Sequence, residues 1–136
     1  MNCIFCKIIA GELPAYVVYE DELFMAIMNL FPTTPGSVLV IPKRHAADIY
    51  GLTEEEAHAL MPLAQKISRK IHEELKPAGL NLLQNNGEAA GQEIFHFHLH
   101  IIPRYDGDNA RRGLPKHSPT SPSPEELEEM ARRLKI

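Results

Sequence analysis

Hydrophobic and polar positions along the first third of the chain predict a short helix followed by three strands. Apolar residues recur at helical spacing over residues 3–10, which predicts one short helix. Two β-rich runs, residues 15–19 and 23–28, lie on either side of an acidic triplet and predict a hairpin. The unbroken apolar run at residues 37–41 is typical of a central strand buried on both faces.

One long amphipathic helix follows. Thr53 and Glu56 form a capping-box pattern at its start, and the helix is expected to end before Pro77. Pro62 lacks a backbone donor, so a kink or a later helix start is expected there. The predicted core-facing stripe consists of Leu60, Ala64, Ile67, Ile71 and Leu75.

The second half of the chain predicts two further strands and a terminal helix. Strands are expected at residues 80–84 and 94–103, with a turn-rich segment between them. Residues 105–123 show no periodicity and contain three prolines, so we expect a mobile or surface-draped arm. Ser123, Pro124 and Glu126 then form the start of a last helix. Five strands and one long helix indicate the α+β class.

Composition narrows the classes of function. A chain of 136 residues, 44% hydrophobic and 24% charged, suits one globular domain. The 14 Lys and Arg residues against 18 Asp and Glu residues give a net charge of −4, which argues against polymeric nucleic acid as a partner. No apolar run is long enough to span a bilayer and no secretory signal pattern is present, so we expect a cytoplasmic protein without a membrane partner.

Three histidines alternate with apolar residues in the predicted fifth strand. Successive side chains of a strand point to opposite faces, so His96, His98 and His100 are expected on one face and Phe95, Phe97, Leu99 and Ile101 on the other. A single histidine is more often an ordinary surface residue. Either His96 and His98 or His98 and His100 are suited to holding a catalytic zinc ion, and one neutral imidazole is suited to attacking phosphorus as a nucleophile.

This sequence resembles the histidine triad (HIT) family. The resemblance rests on the histidine motif of residues 96–102, and it extends over residues 3–9, 38–45 and 85–92. It implies a HIT domain over residues 1–104, with residues 105–136 as an arm and helix packed on it or extending from it. The implied fold is a five-stranded antiparallel sheet with one long helix and short terminal helices.

The resemblance also implies roles for single residues. In the family the middle histidine forms a covalent nucleotidyl-histidine intermediate, which makes His98 the expected nucleophile, with its second ring nitrogen donating to a backbone carbonyl. His100, Asn85 and Gln92 match positions that line the phosphate site. Asn29 matches the position that holds the ribose hydroxyls. The apolar base pocket is matched by Phe5, Ile8, Ile27 and Leu30.

A structural zinc site is a further implication. Relatives that keep two cysteines at this spacing complete a Cys2His2 site, which here corresponds to Cys3, Cys6, His45 and His96. His96 then does not serve the phosphate. Taken alone, the cysteine pair equally fits a redox dithiol or two small buried residues. His58, His72 and His117 are assigned no role.

Two positions depart from the family pattern. Ser37 stands where many relatives carry a fourth histidine, which puts any proton relay through that residue in doubt. Glu93 stands where many relatives place Ser or Thr, and a carboxylate beside phosphates is repulsive unless it is protonated or turned away.

The resulting hypothesis is a nucleotide hydrolase or transferase of the bacterial or archaeal branch. It is expected to cleave at the α-phosphate of a purine nucleotide conjugate, either a dinucleoside polyphosphate or a nucleoside phosphoramidate, without a catalytic cofactor and as a homodimer. The alternatives are a zinc-dependent hydrolase that uses the His-x-His pair and a non-catalytic nucleotide-binding regulatory module.

Overall fold

The computed structural model describes residues 2–108 and 121–136. Its elements are α1 (Ile4–Ile9), β1 (Val17–Glu20), β2 (Phe24–Met28), β3 (Val38–Pro42), a 3-10 turn (Ile49–Gly51), α2 (Glu54–Leu75), β4 (Gly79–Leu83), a 3-10 turn (Glu88–Ala90), β5 (Leu99–Arg104) and α3 (Pro124–Leu134). Most of the arm predicted at residues 105–123 lies outside the described residues.

The five strands form one sheet in the order β1-β2-β3-β5-β4, and all four neighbouring pairs are antiparallel. β3 lies in the middle with every residue buried, as its unbroken apolar run predicts. The α+β class and the five-stranded antiparallel sheet are therefore confirmed.

Helices cover the two faces of the sheet unequally. Leu63, Ala64, Ile67 and Ile71 of α2, together with three apolar residues of α3, pack with one face into the larger core. The short helix α1 packs Phe5 and Ile8 on the opposite face, where they contact a smaller apolar cluster from β2 and β3. Because α1 covers only part of its face, the sheet beside it is left open to form a cavity.

The prediction of a later start for α2 requires correction. α2 runs unbroken from Glu54 to Leu75 with Pro62 inside it, so the later start is wrong. Pro62 has no N–H group to donate to the carbonyl of His58, four residues earlier. Both residues lie on the exposed side of the helix, where water can donate to that carbonyl instead.

The fifth strand is shorter than predicted. β5 begins at Leu99 rather than at residue 94, because the preceding segment leaves the sheet and bonds to the loop after β3. The Phe97 amide donates to the Ala46 carbonyl at 2.7 Å. Phe95 is consequently 51% exposed and His96 fully buried, so strict alternation of the three histidines on one strand face is wrong.

Candidate functional site

Two cysteines and two histidines from three separate segments converge at the start of α1. Cys3 caps this helix and Cys6 lies in its first turn, while His45 follows β3 and His96 precedes β5. One ligand atom from each residue lies within 4.8 Å of the others. This group could bind a metal ion.

The spacing of the four ligand atoms fits a tetrahedral zinc ion. Zn–S bonds of about 2.3 Å and Zn–N bonds of about 2.0–2.1 Å place two nitrogens about 3.3 Å apart, and a nitrogen and a sulfur about 3.5 Å apart. Nδ1 of His45 lies 3.1 Å from Nδ1 of His96. The sulfurs of Cys3 and Cys6 lie 3.4 and 3.6 Å from Nδ1 of His96, and the Cys6 sulfur is 3.4 Å from Nδ1 of His45.

A hydrogen bond of the His96 ring shows which of its two nitrogens is free to bind a metal ion. Nε2 of His96 lies 2.8 Å from the Pro42 carbonyl oxygen, and since a carbonyl only accepts, Nε2 carries the proton. Nδ1 is then left with a lone pair directed at the sulfurs, as a metal-binding histidine requires. Burial is the main cause of a lowered pKa for His96, which favours its neutral, ligating form.

The other two histidines of the motif lie in a different place. His98 and His100 line a cavity of about 540 Å³, and their ring centroids are 4.9 Å apart. His100 is paired with Leu39 on one side and Leu83 on the other, so the cavity lies on the sheet face beside α1. Its lining residues are Phe5, Asn29, Phe31, Thr33, Ser37, Leu39, Leu83, Asn85, Gly91, Glu93, Ile94, His98, His100 and Ile102.

The tautomer of His98 follows from its backbone contact. Nδ1 of His98 lies 2.8 Å from the carbonyl oxygen of His96, so Nδ1 is the donor and Nε2 retains its lone pair. Burial lowers the pKa of His98 below its usual range, although the His96 carbonyl opposes this shift. The ring centroid of Phe5 lies 5.2 Å from that of His98, which further restricts the imidazole.

The predicted substrate-binding residues divide into two groups. Phe5, Asn29 and Asn85 line the cavity with the two histidines. Ile8 and Ile27 lie in the smaller core rather than in the lining, and Leu30 is 40% exposed outside it. The Oδ1 atom of Asn29 already accepts a bond from the Phe31 amide at 3.0 Å.

Gln92 has internal partners instead of a place in the lining. Its carbonyl oxygen accepts from the Gly87 amide at 2.7 Å, and its Nε2 donates to the carbonyls of Ala47 and Ile94 at 2.6 and 3.0 Å. The side chain is almost fully buried. It fastens the loop before the histidine motif to the loop after β3.

The two departures from the family pattern both line the cavity. Ser37 is buried, and its hydroxyl donates to the Thr34 carbonyl at 2.9 Å. Glu93 is exposed on the loop between Gly91 and His96.

Several lining residues were not found from the sequence. Leu39 and Leu83 reach the cavity through their register with His100, and Ile102 shares that face two residues further along β5. Phe31 and Thr33 come from the loop after β2. The available sequence signal for Phe31 was an aromatic residue beside a proline-containing loop, and the structure leaves this side chain exposed.

Comparison with known proteins identifies the family. A model of the HIT domain matches residues 10–107. The Bacillus subtilis protein called Protein hit is 45% identical over 130 residues, covering 96% of this chain and 90% of its own length. An adenosine 5'-monophosphoramidase of Schizosaccharomyces pombe is 40% identical over 135 residues, covering 98% and 96% of the two chains. The chain belongs to the HIT family.

A solved HIT structure supports the same assignment. The zinc-bound histidine triad family protein from Mycobacterium smegmatis superimposes with a TM-score of 0.82 at 38% identity, covering 99% of this chain and 91% of its own. Within the described residues, no helix of this HIT protein combines the length and apolar character needed to cross a membrane.

Proposed function

We propose that this HIT protein is a nucleotide hydrolase or transferase in which Nε2 of His98 attacks the α-phosphorus of a purine nucleotide conjugate. One observation carries the proposal: Nδ1 of His98 donates to a backbone carbonyl at 2.8 Å, which leaves the Nε2 lone pair available on a ring that lines a cavity. The name of the Schizosaccharomyces pombe relative supports nucleotide chemistry at this site.

The reaction divides into two displacements. First, a bond forms between Nε2 of His98 and the α-phosphorus while the bond from phosphorus to the leaving group breaks. The leaving group keeps the bonding electron pair and takes a proton from water. Water then attacks the phosphorus, the N–P bond breaks with its electrons returning to His98, and a nucleoside monophosphate is released. Both displacements build negative charge on the phosphoryl oxygens. We assign its stabilisation to His100 and Asn85, because both line the cavity with His98.

The cavity also suits the rest of a nucleotide. Phe5 and Phe31 offer aromatic surface for a purine base, and Ile94 and Leu39 add apolar surface beside it. The Nδ2 atom of Asn29 can donate to one ribose hydroxyl, and Oδ1, which accepts from the Phe31 amide, has a second lone pair for another. The substrate classes retained are dinucleoside polyphosphates and nucleoside phosphoramidates.

We further propose that Cys3, Cys6, His45 and His96 hold one structural zinc ion. The distances between their ligand atoms fit tetrahedral zinc, and the Mycobacterium smegmatis relative is zinc-bound. All four protein ligands would fill a tetrahedral site, and none of them lines the cavity. Zinc would there supply only cross-linking of three chain segments. A zinc-dependent hydrolase that uses His96 and His98 is disfavoured because these two histidines lie in different sites. His98 and His100 share the cavity, but within the described residues no third His, Cys, Asp or Glu joins them in a group that could hold a metal ion, and a catalytic zinc ion ordinarily has three protein ligands.

The test is replacement of the proposed nucleophile. His98→Ala is expected to keep nucleotide affinity within a few-fold and to lose at least about a thousandfold in turnover, or roughly 4 kcal/mol of transition-state stabilisation. His58→Ala, on the exposed side of α2, is the matched control. Near-normal turnover by His98→Ala would overturn the proposal. Binding without turnover by the unaltered protein would instead favour the regulatory module.

A homodimer is proposed as the assembly. β4 is an edge strand of the sheet, and Leu82 on it is an exposed apolar side chain. An edge strand of this kind offers unpaired backbone groups to a second copy. Light scattering should give twice the 15.3 kDa chain mass, and a monomer at micromolar concentration would contradict this assembly.

A further inference from the structure

The charge of the cavity lining is unusual for a site proposed to hold phosphates. Among the lining residues in the described parts of the chain, Glu93 is the one Asp, Glu, Lys or Arg side chain. The described lining therefore supplies no lysine or arginine to neutralise a polyphosphate. Phosphate-binding sites commonly combine backbone N–H groups with such cations or with bound metal ions.

The backbone at Glu93 is held in place by the side chain of its neighbour. Gln92 bonds to the Gly87 amide and to the Ala47 and Ile94 carbonyls, which anchors the backbone on both sides of Glu93. No salt bridge joins Glu93 to another residue within 2–108 or 121–136. Its carboxylate therefore lies at the cavity without an ion-pair partner among the described residues.

We propose that Glu93 selects substrates by the charge of the leaving group, favouring amines that carry a second, positive group and disfavouring anionic groups such as polyphosphate. The inference rests on the proposed function, because it concerns the group displaced when His98 attacks the α-phosphorus. A single α-phosphate brings about one negative charge into the cavity, whereas each further phosphate adds negative charge to the group that departs. Glu93 repels that added charge and attracts an ammonium.

The favoured reaction is cleavage of a phosphoramidate. The N–P bond of the substrate breaks as the bond from His98 to phosphorus forms, the departing nitrogen keeps the electron pair and accepts a proton from water, and an amine is released. Water then attacks the phosphorus, the bond between His98 and phosphorus breaks, and a nucleoside monophosphate is released. The distal ammonium of the leaving group is unchanged throughout, so Glu93 acts by attraction and takes no proton.

The test compares three adenosine phosphoramidates that differ only in the end of the leaving amine. Their N-substituents are aminobutyl, butyl and carboxypropyl groups, which are cationic, neutral and anionic at neutral pH. The unaltered protein is expected to show kcat/KM in the order cationic, neutral, anionic, with steps of about three- to tenfold at low salt. Glu93→Gln should reduce each step to less than about twofold, whereas Glu93→Asp should retain the order.

The matched control is Glu88→Gln. Glu88 is an exposed glutamate of the same loop outside the cavity lining, so its loss changes net charge equally without altering the ranking. A Glu93→Gln enzyme that keeps the ranking, or that loses activity equally on all three substrates, would overturn the charge selection while leaving the role of His98 intact. If none of the three substrates is turned over, or if His98→Ala still turns them over, both the proposed function and the charge selection by Glu93 would be overturned.

Discussion

Nδ1 of His98 donates to the backbone carbonyl of His96 at 2.8 Å. The two histidines lie only two residues apart, yet the His96 ring belongs to the Cys3, Cys6 and His45 cluster and the His98 ring lines the cavity. The contact therefore ties the orientation of the proposed nucleophile to the backbone of a proposed metal ligand. The orientation of the His98 ring therefore depends on how firmly His96 is held.

Loss of the metal site should lower stability. His45→Ala removes one of four ligands, and its apparent melting temperature is expected to fall by at least about 5 °C, together with loss of bound zinc. His58→Ala, an exposed histidine on α2, should leave both unchanged. Metal analysis and thermal melts of the two variants make the comparison. Protein stripped of metal by a chelator that melts at the same temperature as zinc-loaded protein would refute a structural role.

Glu56 should make stability depend on pH in the acid range. Burial alone would raise the pKa of this carboxyl, but the Arg44 side chain and the Thr53 backbone amide, each 2.8 Å from Oε1, hold it below its ordinary range. A lowered folded-state pKa contributes stability above the unfolded value of about 4.3, and the contribution disappears as pH falls through the folded pKa.

Glu56→Gln is accordingly expected to cost about 1–2 kcal/mol of unfolding free energy at pH 7 and progressively less below pH 4. Urea denaturation of the variant and the unaltered protein, at pH 7 and again below pH 4, measures the difference in unfolding free energy. Glu54→Gln, in the exposed first turn of the same helix, is the control and should change stability by under about 0.5 kcal/mol. An equal cost of Glu56→Gln at both pH values would show that ionisation is not involved.

Gly36 should tolerate substitution less well than Gly11. Both have positive φ, at 90° and 80°, but a Cβ on Gly36 would clash with the Leu75 side chain, whereas nothing lies within 4 Å of one on Gly11. Replacement by Ala is therefore expected to cost about 1–2 kcal/mol at Gly11 and more at Gly36, where the end of the Leu75 side chain must also shift. Chemical denaturation of the two variants measures this difference. Equal losses of unfolding free energy in the two variants would contradict the prediction.

The elements that depend on local chemistry were predicted well from the sequence. The capping boxes Thr53–Glu56 and Ser123–Glu126 are both present, because each needs only backbone and side chains three residues apart. The central strand followed from its apolar run. The start of β5 could not be predicted, because His96 and Phe97 bond to the end of β3 and to the loop after it, both more than 50 residues distant.

The candidate site shows the same division. The histidine motif and the cysteine pair are visible in the sequence, but the separation of His96 from His98 depends on where the loop before β5 packs. The places of Leu83 and Phe31 in the cavity arise from strand register and from a loop distant in sequence. Such placements are set by tertiary packing, which periodicity does not encode.

The most direct measurement is mass spectrometry of the protein quenched in acetonitrile during turnover of an adenosine phosphoramidate. We expect a transient adduct with the mass of an adenylyl group, located on His98 by peptide fragmentation and absent from His98→Ala. Acetonitrile at neutral pH is used because the N–P bond of a phosphohistidine is labile to acid. An adduct on another residue, or rapid turnover by His98→Ala, would contradict nucleophilic attack by His98.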